Sequence, residues 1–529
     1  MRSATKILAF PLAGVSRRGP HASQQQGPFT APWAVNMRTV GVSELRRRGG
    51  SRPGLAKHCE TQLGTSVTSL IPVTYVDAGG TRRNDLVYVA DLAVGYVRGG
   101  VATATTAELE GPDGVDILDD NNVTIDFSSA VVTASLQGAV RGGRIYFADD
   151  VLKTYDPATG VVEPVIATAG TVPVAEPLIA VYRDRIFLAG LTNAYYASRV
   201  GDPGDWSYGA AIEDPSAAVA GQLSTSGDIG RVLTAMIPVN DQVLVLATEN
   251  GLWVLRGDPR TGSLSQVSDE IGVIHQDAWA MSPDGTLVFL SNDGVYVWQA
   301  GSSQAPARFS AERVPEELRE LDVSTYTVSM AYDPKGRGFH LFVTAAAPGQ
   351  TDHWWIDVVN RAFWPQRFRT LHEPLASATL VTTDLGKVIL ASRDGYLREF
   401  EEGRDNDDNS SLASHLLIGP VRLGANEVTD GMLAEIHGTL EGLTGDVTWR
   451  VVTGRSAAEA AEAALADLDD VLDGLAPSRA SSSGTWSEGR GRVQRPRARG
   501  AWVVVWLSSA AAWSYEVVAI VTRELGRLR

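Results

Sequence analysis

Proton-transfer and metal chemistry need particular residue types at particular spacings, and this 529-residue chain offers few of them. His275 and Asp277 could serve as a base and its orienter. No nucleophile neighbours them, however, and residues two apart on a strand share a face in any case. A structural or surface histidine is the expected reading, and His340, His353 and His372 are equally scattered. No H-E-x-x-H helix or paired-histidine spacing supports a zinc site. No G-x-S-x-G elbow supports a hydrolase nucleophile. Gly201 and Gly204 are too sparse for a dinucleotide loop, and no phosphate loop ending in Gly-Lys-Ser/Thr occurs. The stretch Glu401–Ser411, EEGRDNDDNSS, offers Asp405, Asp407 and Asn409 to calcium. Ser410 stands where such a loop needs Gly, and no Glu falls at its twelfth position. It reads instead as a solvated linker. Arg256-Gly257-Asp258 spells an adhesion tripeptide, a match too short to outweigh chance. No enzyme activity, metal or cofactor is therefore expected.

The basic residues are more organised. Glu44–Leu55, ELRRRGGSRPGL, gathers Arg46, Arg47, Arg48 and Arg52 around glycines. Exposed backbone N–H groups and guanidiniums could contact a phosphate. In a chain of net charge −16, pairing with acidic surface of the same or a neighbouring subunit is the expected role. A second basic run, Val493–Arg499 (VQRPRAR), supplies Arg495, Arg497 and Arg499. It follows an acidic helix, which leaves a pairing within one chain or between two chains open. The acidic balance argues against tight non-specific nucleic-acid binding, which needs Lys and Arg to displace counterions. The single cysteine, Cys59, allows no internal disulfide.

The elements that position these residues are hairpins. Val243–Leu255 (VLVLATENGLWVL), Leu287–Trp298 (LVFLSNDGVYVW) and Val388–Phe400 (VILASRDGYLREF) repeat one pattern around Asn250-Gly251, Asp293-Gly294 and Asp394-Gly395. Those dipeptides suit two-residue turns with positive φ at both central positions. Looser copies turn near Asp91, Asp150, Asn193 and Pro348-Gly349. The spacing, roughly 40–60 residues, is that of a four-stranded propeller blade.

The expected fold is mainly β: a β-propeller of six or seven blades with an α+β platform domain built from the C-terminal region and the N-terminal arm. Residues 1–60 form the arm and 61–405 the propeller, with loop insertions near 103–127 and 197–226. Residues 406–529 form the platform, with one helix at 456–473 opened by a Ser456/Glu459 capping box and closed at Gly474. Pro11 breaks the first apolar run, which argues against a signal peptide. Ala501–Val521 is long enough to span a bilayer, but Ser508, Ser509, Ser514 and Glu516 interrupt it. Two strands are expected there, and no membrane-spanning segment.

Taken end to end, the chain resembles the nozzle-type tail proteins of short-tailed bacteriophages, the tail tubular protein B class. The likeness rests on Asn36-Met37-Arg38 leading into Arg46–Leu55, and on Arg183–Trp206 with its Tyr-x-Ser and Gly-Asp-Pro turn. It rests also on the C-terminal unit Arg492–Arg529 after an Ala/Glu helix. The resemblance implies a structural protein of the virion tail. It implies a ring of several copies, commonly six (a homohexamer), below a tail adaptor, with tail fibres or spikes as further partners. The ring would retain the genome and pass DNA during ejection without binding it specifically, and an acidic lumen would keep DNA mobile. Arg46, Arg47, Arg48, Arg52, Arg495, Arg497 and Arg499 are then expected at the assembly interface. Ser291–Gly294 and Ser392–Gly395 faintly resemble the aspartate boxes of sialidase propellers, which are structural turns. Two rivals stand beside this reading. One is a carbohydrate-binding or carbohydrate-active propeller using Trp206, Trp298, Trp354 and Trp355 as stacking platforms. The other is a protein-interaction scaffold propeller.

Overall fold

The computed structural model describes residues 3–17, 30–40, 48–76, 79–90, 93–98, 137–148, 151–156, 161–209, 214–223, 230–314, 316–347, 351–381, 385–424, 429–440, 445–487 and 493–527. The chain is mainly β, with one α-helix among these residues. The expected insertion at 103–127 lies outside them.

Seven small antiparallel sheets follow one another along the chain. The first has three strands, Val67–Val76, Arg82–Ala90 and Ala93–Arg98. The second starts at Gln137–Arg141, the third at Leu178–Tyr182, the fourth at Leu233–Asn240, the fifth at Trp279–Met281 and the sixth at Tyr326–Asp333. Each of these five has four strands in meander order, apart from the short cross-pairing inside the third. The seventh runs Pro374–Leu380, Lys387–Ser392, Leu397–Glu401, and is then completed by Gly54–Lys57 from the N-terminal region. Cores form between consecutive sheets, and the seventh packs on the first through Leu86, Tyr88, Ile389 and Leu397. Such a series of radially stacked four-stranded sheets is propeller-like.

The repeated sequence hairpins are the two middle strands of each sheet. Those strands are sandwiched between neighbouring sheets, so both faces are buried and the sequence runs continuously apolar, as in Leu244–Val245–Leu246–Ala247. The outer strands vary: Pro374–Leu380 alternates, Ser263–Ser268 has no buried residue, and Ala362–Gln366 is buried throughout.

The turns differ from expectation by one residue. Thr248 pairs with Gly251 and Ser291 with Gly294, so the central residues are Glu249-Asn250 and Asn292-Asp293. Gly251 is the first residue of its strand, where a Cβ would lie 2.6 Å from the Trp253 ring. Gly294 and Gly395 have φ of 131° and 78°. At Gly395 a Cβ would also strike the Gly64 carbonyl. Glycine is thus required at these turns by close approach as much as by φ. Residues 197–226 are not simply an insertion: Ala194–Ala197 and Val219–Gln222 are the third and fourth strands of the third sheet.

The C-terminal part is a layered unit. One sheet runs in the order Met37–Val40, Arg48–Ser51, Ser514–Arg527, Thr429–Leu440, Ala498–Gly500, with Ser3–Ala9 also paired to Ser514–Arg527. The other runs Ala34–Val35, Ser414–Arg422, Trp502–Ser509, Val447–Gly454, Ser482–Trp486. Val503, Val505 and Leu507 join the core shared with Ile436, Val518 and Ile520 of the first sheet. The alternate residues Val504 and Trp506 meet Ala460, Ala464 and Leu468 of helix α1 (Ala457–Leu472). The Trp502–Ser509 run is apolar throughout because a sheet covers one face and a helix the other. No helix among the described residues is long and apolar enough to cross a membrane.

Helix α1 is bounded by its own sequence. Ser456 accepts from the Glu459 N–H, and Glu459 accepts from the Arg455 N–H. Leu475 N–H bonds to Asp470 O and Gly474 N–H to Val471 O, with Gly474 at φ 80°, a Schellman ending.

Candidate functional site

The residues of the N-terminal region fasten the two parts of the molecule together. Arg52 is 1% exposed and uses every N–H it has. Its guanidinium donates to both Asp407 carboxylate oxygens (2.9 and 2.5 Å), to Asn36 Oδ1 (3.1 Å) and to the carbonyls of Pro53 (2.9 Å) and Arg367 (3.3 Å). It also lies over the Phe368 ring at 4.6 Å. Asp407 accepts the Leu55 N–H as well, which locks the start of the strand completing the seventh sheet. A guanidinium with no free donor cannot receive a phosphate, so Arg52 is a core clamp.

Two further arginines repeat the device. Arg38 donates to Asp333 (3.3 Å) and Glu402 (2.9 Å), and Thr39 donates to Asp357 (3.0 Å). Arg398 is held by Asp394 through two bonds (2.7 and 2.8 Å) and by Asp408 (2.9 Å). The acidic stretch 401–411 is therefore not a solvated linker. Asp407 and Asp408 are consumed by arginines, and Asn406–Asp407 and Ser410–Ser411 pair on the seventh sheet. No group of three His, Cys, Asp or Glu placed to hold a metal occurs among the described residues.

Histidines fill the same junction. His340 stacks on Phe400 at 4.6 Å and faces Asp333 at 3.7 Å. Burial alone would raise the Asp333 carboxyl, but His340 and Arg38 hold it below the usual range. Among the described residues His353 has no hydrogen-bond partner for either ring nitrogen, and burial, aided by Arg52 and Arg393, pushes its imidazole down to about 3. His275 and Asp277 stand 3.8 Å apart on a partly exposed turn, with Asp277 N–H donating to His275 Nδ1.

A cavity of about 600 Å³ is lined by the first strands of all seven sheets. Its wall carries Ile71, Ile179, Met236, Trp279 and Met330, and its polar groups are engaged: Gln137 accepts the Ile179 N–H, and Ser377 bonds Ser329.

The remaining residues singled out in the sequence fall in several places. Arg46, Arg47 and Asp150 lie outside the described residues. Arg48 is half-buried in its strand. Asn193 bonds the Leu223 carbonyl, Asp293 accepts from Tyr296, and Asp394 clamps Arg398. Arg256-Gly257-Asp258 is tied down, Arg256 to Gly301 O, Gly257 O to Tyr182, and Asp258 to the Arg260 N–H. Trp206, Trp298, Trp354 and Trp355 are all buried, so none offers a stacking face. Arg495, Arg497 and Arg499 are exposed along the edge of the first large sheet. Arg495 meets Glu435 at 3.4 Å. Asn36, Asp333 and Asp407 were not legible as partners, because each meets its arginine only in the fold.

No family model matches this chain, and no curated protein matches it. Among solved structures it is similar to the computationally designed Ika8 protein, at 14% identity and a TM-score of 0.35, over 65% of this chain and 98% of that one. It is similar to the WD40 beta propeller domain of Doa1, at 11% identity and a TM-score of 0.35, over 66% of this chain and 96% of that one. A chain of a Mitotic Checkpoint Complex matches at 12% identity and a TM-score of 0.36, over 60% of this chain and 87% of that one. At such values the likeness concerns general architecture alone and carries no argument.

Proposed function

We propose that this chain is a structural subunit of a virion tail, a nozzle-type protein of a short-tailed bacteriophage, built as a seven-bladed β-propeller on a platform. Seven sheets in chain order, with their first strands on one cavity and the last completed by Gly54–Lys57, support the propeller. The platform is the two-sheet unit with α1. The observation that carries the functional reading is the pairing of segments far apart in sequence within that unit. Ser3–Ala9, Met37–Val40 and Arg48–Ser51 share a sheet with Ser514–Arg527. A part that holds a packed genome must resist being pulled apart, and a sheet built from segments hundreds of positions apart in sequence does so.

The conduit in this reading runs between copies. The cavity on the first strands, about 600 Å³, is too small to take a duplex. The net charge of −16 fits a lumen that repels DNA and lets it slide. The carbohydrate reading loses its stacking tryptophans, which are buried.

Electron microscopy of the purified protein, alone and bound to its tail adaptor, tests this. Rings with an axial hole and an acidic inner wall are expected. Monomers in both conditions, or a strongly basic lumen, would refute it. Binding or turnover of a defined glycan would favour the carbohydrate rival.

A further inference from the structure

Two charged groups on the platform are left largely without partners among the described residues. The first is on helix α1 and its C-cap. Glu462, Asp469 and Asp473 are exposed. At about 100° per residue, positions seven and eleven apart return to within about 20° of the same direction, so the three carboxylates form one solvent-facing line about 16 Å long. None makes an ion pair within the described chain, unlike Asp467 and Asp470, which Arg479 engages. The second group is Arg495, Arg497 and Arg499. The three guanidiniums are exposed, flanking the less exposed Pro496 and Ala498, and the backbone turns at Arg497, whose φ is 53°. Only Arg495 has a partner, the side chain of Glu435.

The two groups match in count and are opposite in charge. Each also ends in an exposed apolar side chain, Leu475 beyond the helix (62%) and Val493 before the arginines (48%). They do not meet within the chain. The helix covers the outer face of one sheet, whereas the arginine segment forms the edge of the other. In a protein of net charge −16, copies repel one another unless basic surface meets acidic surface. The basic run could have lain against the helix of its own chain, and this fold keeps them apart.

We propose that Arg495, Arg497 and Arg499 of one copy dock on the Glu462–Asp469–Asp473 stripe of another copy of this chain. This rests on the reading of the protein as a ring-forming subunit and names the surfaces that join it. Because the two surfaces differ, the contact is heterologous, the kind that propagates around a ring.

The test uses full-length protein and sedimentation analysis. Self-association is expected to weaken from about 0.1 M to about 1 M salt, which shortens the screening length from about 10 Å to about 3 Å. The triple variant Arg495→Glu/Arg497→Glu/Arg499→Glu, and separately Glu462→Lys/Asp469→Lys/Asp473→Lys, should each weaken association at least about tenfold. The two triple variants should associate with each other, and the sixfold variant should recover self-association, which also shows that the changes do not unfold the chain. Association indifferent to both triples, or no recovery in the sixfold variant, would overturn the proposal. So would arginine changes that abolish binding of a duplex DNA probe while association persists. The nozzle reading fails on a different result: salt-sensitive, charge-reversible association that gives no ring with an axial hole.

Discussion

Replacing Arg52 with Met tests whether the N-terminal segment is a clamp or a tether. Methionine keeps most of the stem that packs on Phe368 and Phe400 and removes only the charge and its five hydrogen bonds. Asp407 is then left as a buried carboxylate at 4% exposure, with the Leu55 N–H as its remaining donor. Removing one partner of a buried pair costs about 3–5 kcal/mol, because the other charge stays desolvated. The surviving N–H places this site near 3 kcal/mol. Arg52→Met/Asp407→Asn should recover about 2 kcal/mol of that loss, since the amide is neutral and still accepts from Leu55. Native-state hydrogen exchange suits the measurement, because the loss should be read first at the amides of Gly54–Lys57 and their partners Leu397–Glu401. A loss below about 1 kcal/mol in Arg52→Met would refute the clamp. So would a double variant no more stable than the single one.

Three other outcomes follow from the same structure. His353 has a folded-state value near 3 against an ordinary 6.5, so the unfolded chain takes up the proton first; stability is full above about 6.5 and falls as the pH drops toward 3. His353→Phe should flatten that part of a denaturation-against-pH curve, and an unchanged slope would exclude His353 as its source. Gly395→Ala should cost about 1–3 kcal/mol in thermal or urea unfolding, since φ is 78° and the new Cβ strikes Gly64; a neutral effect would show that the turn relaxes freely. Removing residues 1–9 should leave the seven sheets folded, judged by limited proteolysis, while freeing the edge of Ser514–Arg527 that Ser3–Ala9 covers and promoting aggregation. Removing residues 1–55 instead cuts into the seventh sheet at Leu55, so it should destabilise the sheets as well.

The middle hairpins were legible because burial on both faces makes their strands continuously apolar, a signal that needs no register. Some outer strands carry no such signal. Ser263–Ser268 reads as a polar loop, and its strand identity comes only from pairing with Gly251–Arg256. The one-residue shift at Gly251 and Gly294 has a related cause. Asn-Gly and Asp-Gly name a turn, but the packing of Trp253 and Ser310 against the glycine decides where the ladder closes. Helix α1 was legible almost to the residue, because its cap, its alanines and Gly474 are local.

The arginines mark where reading by composition ends. Arg48 and Arg52 stand four positions apart in one basic stretch, yet one is half-buried on a strand and the other is among the most buried side chains in the molecule. Nothing within that stretch separates them. What does is Asp407, 355 positions away, in a segment whose own composition says solvent. Each half looks exposed alone, because isolated charges belong in water. Together they form a neutral, fully hydrogen-bonded unit that a core accepts. The Arg495–Arg499 run passes the opposite test. Its arginines remain exposed after folding, and carboxylates equal to them in number and opposite in charge lie on another face of the same unit. A charge that folding leaves unpaired is the better guide to a partner outside the chain, and by that criterion the second basic run, not Arg52, carries the proposed docking surface.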